Sequence, residues 1–205
     1  LFSIYIYSAR MALACFLIGF LFIIWKSINK QIIKWSLLIT LPLCACVLFW
    51  FSPMKERYTK MVEKELVLPN MNQEPHEVNY RYGIWHCATQ LLSNNIFVGV
   101  GADKVQEKLN QCYDGFKYKS YEDFNKVTYN THNQYLDQFL KFGIVGLMMF
   151  LFVLFCFYPK SSVLYQTFII VTAVSFLTEN IIDRQMGVVF FSLLNTIFII
   201  LKLNK

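Results

Sequence analysis

The sequence predicts an all-α polytopic membrane protein: five transmembrane helices and one large helical loop outside the cytoplasm. Three observations carry that prediction. The 205-residue chain is 56% hydrophobic and 16% charged, whereas soluble domains average about 45–50% apolar and about 25% charged residues. Its apolar residues gather in five runs, at 2–25, 35–51, 144–158, 163–178 and 188–201, of the kind that cross a bilayer. The surplus positive charge then sits at the ends of those runs.

The net charge of +6 would suggest nucleic acid until it is located. Between Pro53 and Lys141 there are 11 Lys and Arg against 11 Asp and Glu, so the long loop sums to zero. Arg10 and Arg184 are balanced by Glu179 and Asp183. What remains is Lys26, Lys30, Lys34, Lys160, Lys202 and Lys205, all flanking apolar runs. That is the positive-inside pattern, which counts short cytoplasmic loops. The charge sets topology, and no nucleic-acid partner is expected; the membrane lipids are the expected surroundings.

In chain order, residues 1–52 hold the first two spans, joined by the basic cytoplasmic turn at 26–34, with Pro42 expected to kink the second. The sequence has no initiating Met and no signal-peptide pattern, so the first run reads as a span. Residues 53–138 form the polar loop. Met54, Tyr58, Met61, Val62 and Leu66 have helical spacing, residues 69–75 read as linker, and a second helix covers 78–93. Val98-Gly99-Val100-Gly101 marks a tight turn into a short helix over about 103–113, and residues 114–130 read as irregular. Thr131 to Gln134 fits a capping box, with Thr131 as N-cap and Gln134 at the third helical position. Residues 139–205 carry the last three spans, separated by a cytoplasmic hairpin at 159–162 and a short outer turn at 179–187.

Six cysteines divide by place. Cys15, Cys44, Cys46 and Cys156 lie in apolar runs, where a thiol packs as a small hydrophobe. Cys87 and Cys112 are the two in the loop. An oxidising compartment permits a bridge between them, and spacing alone leaves that pairing open.

Three residues stand out chemically. Arg10 lies inside an apolar run, where a charge costs about 2.5–3.5 kcal/mol on insertion scales and marks a functional pathway by default; the plainer alternative is snorkelling to the outer headgroups. Arg81, one turn before Trp85, suits bidentate pairing with phosphate, or is an ordinary surface arginine. His132, read as the first residue of a helix, would meet the positive end of the dipole, which keeps the ring neutral, as a general base requires. The same helix end favours an anion. His76 and His86 have no metal-ligand spacing, so no metal is assigned, and no phosphate-binding or nucleophile-elbow motif occurs. Glu179, Asp183 and Arg184 read as an outer turn sealed by ion pairs.

The order of motifs resembles a known family. Ser8-Ala9-Arg10 opens a span, then come Arg81-Tyr82-Gly83-Ile84-Trp85, Gly99-Val100-Gly101, His132-Asn133 with Tyr135-Leu136, and Phe142-Gly143-Ile144-Val145-Gly146-Leu147. This resembles the C-terminal half of the O-antigen ligase and polymerase family, in which Ser and Arg of the first motif are more usually adjacent. The resemblance implies a GT-C-like glycosyltransferase of the bacterial inner membrane, with more spans than these five and its site facing the periplasm. It would move a glycan from undecaprenyl diphosphate to the hydroxyl of a lipid A-core or other glycan acceptor, by inversion and without metal or other cofactor. Residue by residue, Arg10 and Arg81 would hold the diphosphate and His132 would act as base, with Trp85, Asn133 and Tyr135 expected at the sugar. Ligase and polymerase are not separated by these motifs. A transporter or flippase would need ionisable residues in several spans, and only Arg10 qualifies. A ligand-binding sensor would need no base at all.

Overall fold

The computed structural model describes residues 10–50, 80–116, 129–158 and 162–203. Those residues form seven helices and no strand: α1 Arg10–Ser27, α2 Gln31–Trp50, α3 Tyr80–Ser93, α4 Val105–Tyr113, α5 Gln134–Phe155, α6 Val163–Ser175 and α7 Gln185–Leu203. The helix expected over 54–66, the linker over 69–75 and most of the irregular segment, 117–128, lie outside the described residues.

The five apolar helices fall on the five apolar runs. Among the described residues α5 alone is long and apolar enough to cross a bilayer; Met11–Ser27, Gln31–Val47, Val163–Ser175 and Gln185–Leu201 are apolar but shorter. Of the five expected spans, one is thus matched by a helix of full spanning length and four by shorter apolar helices among the described residues. The exposed side chains of α5 are those that lipid accommodates, with Val145, Met149 and Phe152 between 60% and 72% exposed. Helix α2 runs through Pro42 as one assigned helix.

The chain divides into two compact units. The first comprises Leu1–Glu63, Leu154–Ser175 and Val189–Lys205. In it α1 packs on α6 through a small residue: a Cβ added at Gly19 would lie 2.9 Å from the Val171 side chain and 3.2 Å from that of Thr167. Close approach at glycine is a standard way for apolar helices to associate without a hydrophobic drive. Helices α6 and α7 are joined by a hydrogen bond of 2.8 Å between Tyr165 and Asn195 and by rings of Phe168, Phe191 and Phe198.

The second unit comprises Lys64–Val153 and Phe176–Val188. Its core is built from Ile84, Cys87, Ala88 and Leu92 of α3, Val105, Leu109 and Tyr113 of α4, and Leu140 of α5. Ile84 and Ala88, one turn apart on α3, are both buried, and Cys87 and Cys112 are bridged, fastening α3 to α4. Helix α5 bends at Gly143 (φ 65, ψ −165), which divides residues 134–142 from 144–155. The segment from Ile96 to Gly101 docks on that bend by backbone hydrogen bonds: Val100 N–H to Leu140 O at 2.7 Å, Gly101 N–H to Lys141 O at 3.1 Å, and Ile144 N–H to Ile96 O at 2.8 Å. A kink frees backbone groups that need partners, and here a neighbouring turn supplies them.

Candidate active site

The entry to α5 differs from the predicted cap. Helix α5 starts at Gln134, not His132, and Asn133 is the N-cap: its side-chain oxygen accepts the Leu136 N–H at 3.0 Å, and its carbonyl accepts the Asp137 N–H at 3.0 Å. Thr131 instead donates its hydroxyl to the Asn133 carbonyl at 2.9 Å and accepts the Asn180 side-chain amide at 3.2 Å. Both Thr and Asn are good caps; the capping-box spacing pointed to the first, and the backbone chose the second.

His132 is displaced from the helix by the same choice. It is the one non-glycine residue among those described with positive φ, at 47°, a conformation that costs of order 1–3 kcal/mol for a residue with a Cβ. Asn130 holds it there by accepting the His132 N–H at 3.1 Å, an Asx turn. Such strain persists where the surroundings over-determine it and clusters at functional sites.

Four residues from the turn at 176–184 clasp this entry. Gln134 N–H donates to Phe176 O at 2.8 Å, and the Gln134 side chain accepts the Ile182 N–H at 2.9 Å. Asn180, buried, reaches both Thr131 and Asp183. Lys141 pairs with Asp137 at 2.6 Å and with Asp183 at 3.0 Å. Glu179 is thereby carried to the histidine: its carboxylate lies 3.8 Å from His132 Nδ1, 3.7 Å from Arg81 and 3.8 Å from Arg184.

The electrostatics at His132 follow from this arrangement. Its Nδ1 is buried and has no hydrogen-bond partner; Glu179 faces it at a distance too long for a bond. Burial is the main reason its pKa lies below the ordinary value, Glu179 works against that, and Arg81 and Arg184 add to it. The result is a neutral imidazole near pH 7. The ion pairs themselves are long and about half exposed, so they contribute at most about 1 kcal/mol each to stability. Their larger effect is on the charge of the ring.

Of the predicted site residues, the structure brings Arg81 and His132 together through Glu179. Arg10 begins α1 and belongs to the first unit. Trp85, 39% exposed, donates its indole N–H to Thr131 O at 2.9 Å, immediately before His132. Asn133 is committed to the cap. Tyr135 packs edge-on against Phe150 and Phe176, at 5.9 and 6.2 Å between ring centres. Glu179 was missed as a site residue, because its partnership with His132 arises from tertiary contact 47 positions away and leaves no local pattern.

An O-antigen ligase family model matches residues 1–151. No curated protein and no solved structure matches the chain. The match covers the positions of Arg10, Arg81 and His132 alike, and among the described residues α5 is long and apolar enough to span a bilayer. The chain therefore belongs to the O-antigen ligase family, whose members are integral membrane enzymes that transfer glycans.

Proposed function

We propose that this protein transfers a glycan from undecaprenyl diphosphate to the hydroxyl of a lipid A-core or other glycan acceptor, with inversion, at the periplasmic face of the bacterial inner membrane. The observation that carries the reading is the meeting of His132, Glu179 and Arg81 at a strained turn. His132 Nδ1 faces the carboxylate, so Nε2 is the nitrogen whose lone pair takes the acceptor proton, as a carboxylate-oriented histidine does in other transfer enzymes. Glu179 stabilises the imidazolium formed as the acceptor oxygen attacks the anomeric carbon. The 3.8 Å separation tightens once substrate is bound, as such contacts often do.

Arg81 and Arg10 are the proposed partners of the diphosphate, whose charge grows as the glycosyl bond breaks. Guanidinium groups suit that task because they never lose their proton and grip phosphate in a fork. Trp85 sits beside the histidine with part of its ring exposed and able to stack on a sugar, and Asn133 and Tyr135 are the further proposed contacts of the sugar. In the proposed topology residues 53–138 are periplasmic, between membrane segments at 1–52 and 139–205. The Cys87–Cys112 bridge supports that side, since disulfides persist in oxidising compartments.

A strain deleted for the full-length gene and complemented with wild type, Arg81→Ala or His132→Ala at matched membrane levels tests the reading. Surface glycan lost while long lipid-linked chains accumulate is the expected result and identifies a ligase. Single repeats on the acceptor would identify a polymerase. Unchanged surface glycan in both variants would overturn the proposal.

A further inference from the structure

A second feature of the same unit lies apart from the His132 cluster. A cavity of about 330 Å³ opens between α4, the entry to α5 and the turn that clasps it. Binding pockets commonly measure about 300–1,000 Å³. Its floor is apolar, from Val105 and Leu109, and its walls are polar. Gln106 donates its side-chain NH2 to Asn110 at 3.0 Å and to Tyr129 O at 3.2 Å, which leaves its side-chain oxygen as an acceptor. Asn130 has its oxygen on the His132 N–H, which leaves its NH2 as a donor.

The ionic wall is negative on balance, with the carboxylates of Asp137 and Asp183 against the single ammonium of Lys141. As a clamp, that triad accounts for holding α5 to the turn; it does not account for the space beside it. An apolar floor with both acceptors and donors above it matches a pyranose ring, which offers a C–H face on one side and hydroxyls around its rim. A net negative wall disfavours a phosphate or a carboxylate sugar. We infer that this cavity is a subsite for a neutral sugar unit of the glycan, adjoining the reaction centre through Asn130, which lines the cavity and holds His132 in place. The inference rests on the glycan-transfer reading for its biological role, but its test needs no turnover.

The test is saturation-transfer NMR on the purified full-length protein in detergent, with N-acetylglucosamine, galactose and glucuronate as separate probes. Wild type gives a signal from at least one neutral sugar and a weaker one from glucuronate. Ala102→Phe, an exposed rim position where a ring fills the mouth without touching the core, loses the neutral-sugar signal, and Ala102→Ser keeps it. Gln106→Leu, which removes the free acceptor, weakens it independently of the rim. His132→Ala keeps it. No signal from either neutral sugar, an undiminished signal in both Ala102→Phe and Gln106→Leu, or an equal signal from glucuronate would overturn the subsite. Because binding is read without catalysis, failure here leaves the assignment of His132 standing, and an active His132→Ala enzyme would leave the subsite standing.

Discussion

Gly99 and Gly143 meet backbone against backbone: a Cβ placed on Gly99 would lie 2.5 Å from the amide nitrogen of Gly143. Both residues have positive φ, 77° and 65°, so each is a glycine for conformation and for space together. The pairing fixes where α5 bends, and hence how residues 134–142, with His132 just ahead of them, are set on the span.

Gly143→Ala should therefore be among the most damaging single substitutions in the chain. The residue combines φ 65 with ψ −165, a region open essentially to glycine, and its new Cβ would collide with the backbone of Phe97. A loss of about 3 kcal/mol or more is expected from strain and collision. Thermal unfolding in detergent should show a clear fall in midpoint. A midpoint unchanged within error would mean the bend is not fixed by this contact.

The Cys87–Cys112 bridge closes a loop of sequence separation 25 between two core helices. Cys87→Ser with Cys112→Ser should cost about 2–4 kcal/mol, read as a lowered denaturant midpoint, and wild type treated with reductant should match the double variant. Peptide mapping without reductant should recover the linked pair from membranes. Recovery of both cysteines as free thiols would contradict the bridge.

Asn133→Ala separates a structural role from a substrate role. Its side chain caps α5, so the substitution should cost about 1 kcal/mol of stability. Asn133→Asp or Asn133→Ser should restore most of that, since both are good caps. If activity follows the capping ability of the residue, Asn133 acts by shaping the turn; if activity is lost in the well-folded Ser variant, it contacts substrate directly.

The pH dependence follows from the lowered pKa of His132. A base is active when neutral, so the acid limb of the rate profile should fall at a pKa below about 6.5, the ordinary value for histidine. Stability moves the same way. The folded state resists protonating His132, so its contribution is present above the ordinary pKa and is lost as pH falls through the depressed one. Neighbours should shift the limb in opposite directions. Arg81→Gln removes a group that lowers the pKa and should move the limb up, whereas Glu179→Gln removes one that raises it and should move the limb down. Residual rates suffice for the comparison, and a limb unmoved in both variants would detach His132 from the profile.

Much of the helix pattern was legible in the residues. Apolar runs gave five helices at the expected places, and the helix read over 78–93 is α3, Tyr80–Ser93. Span length was less legible, because an apolar run does not mark a helix end: α6 stops at Ser175 inside its run of 163–178, whereas α2 and α7 begin at Gln31 and Gln185, ahead of theirs. The cap was misread by two residues because Thr131 and Asn133 are both competent caps, and the decision fell to the left-handed turn at His132 and to Asn180 reaching Thr131. The site was half legible. Arg81 and His132 stood out by residue type, but Glu179 reached them only through the clasp of Gln134 and Lys141 on the turn at 176–184. The same contacts place Asp183 beside Asp137, a proximity no spacing rule foretells.

The most direct measurement is the rate of glycan transfer by purified full-length protein, wild type against His132→Ala, with lipid-linked donor and acceptor both saturating. The variant should bind donor normally and transfer at least about 100-fold more slowly, the usual loss on removing a general base. Transfer at the wild-type rate by a variant lacking the imidazole would contradict it.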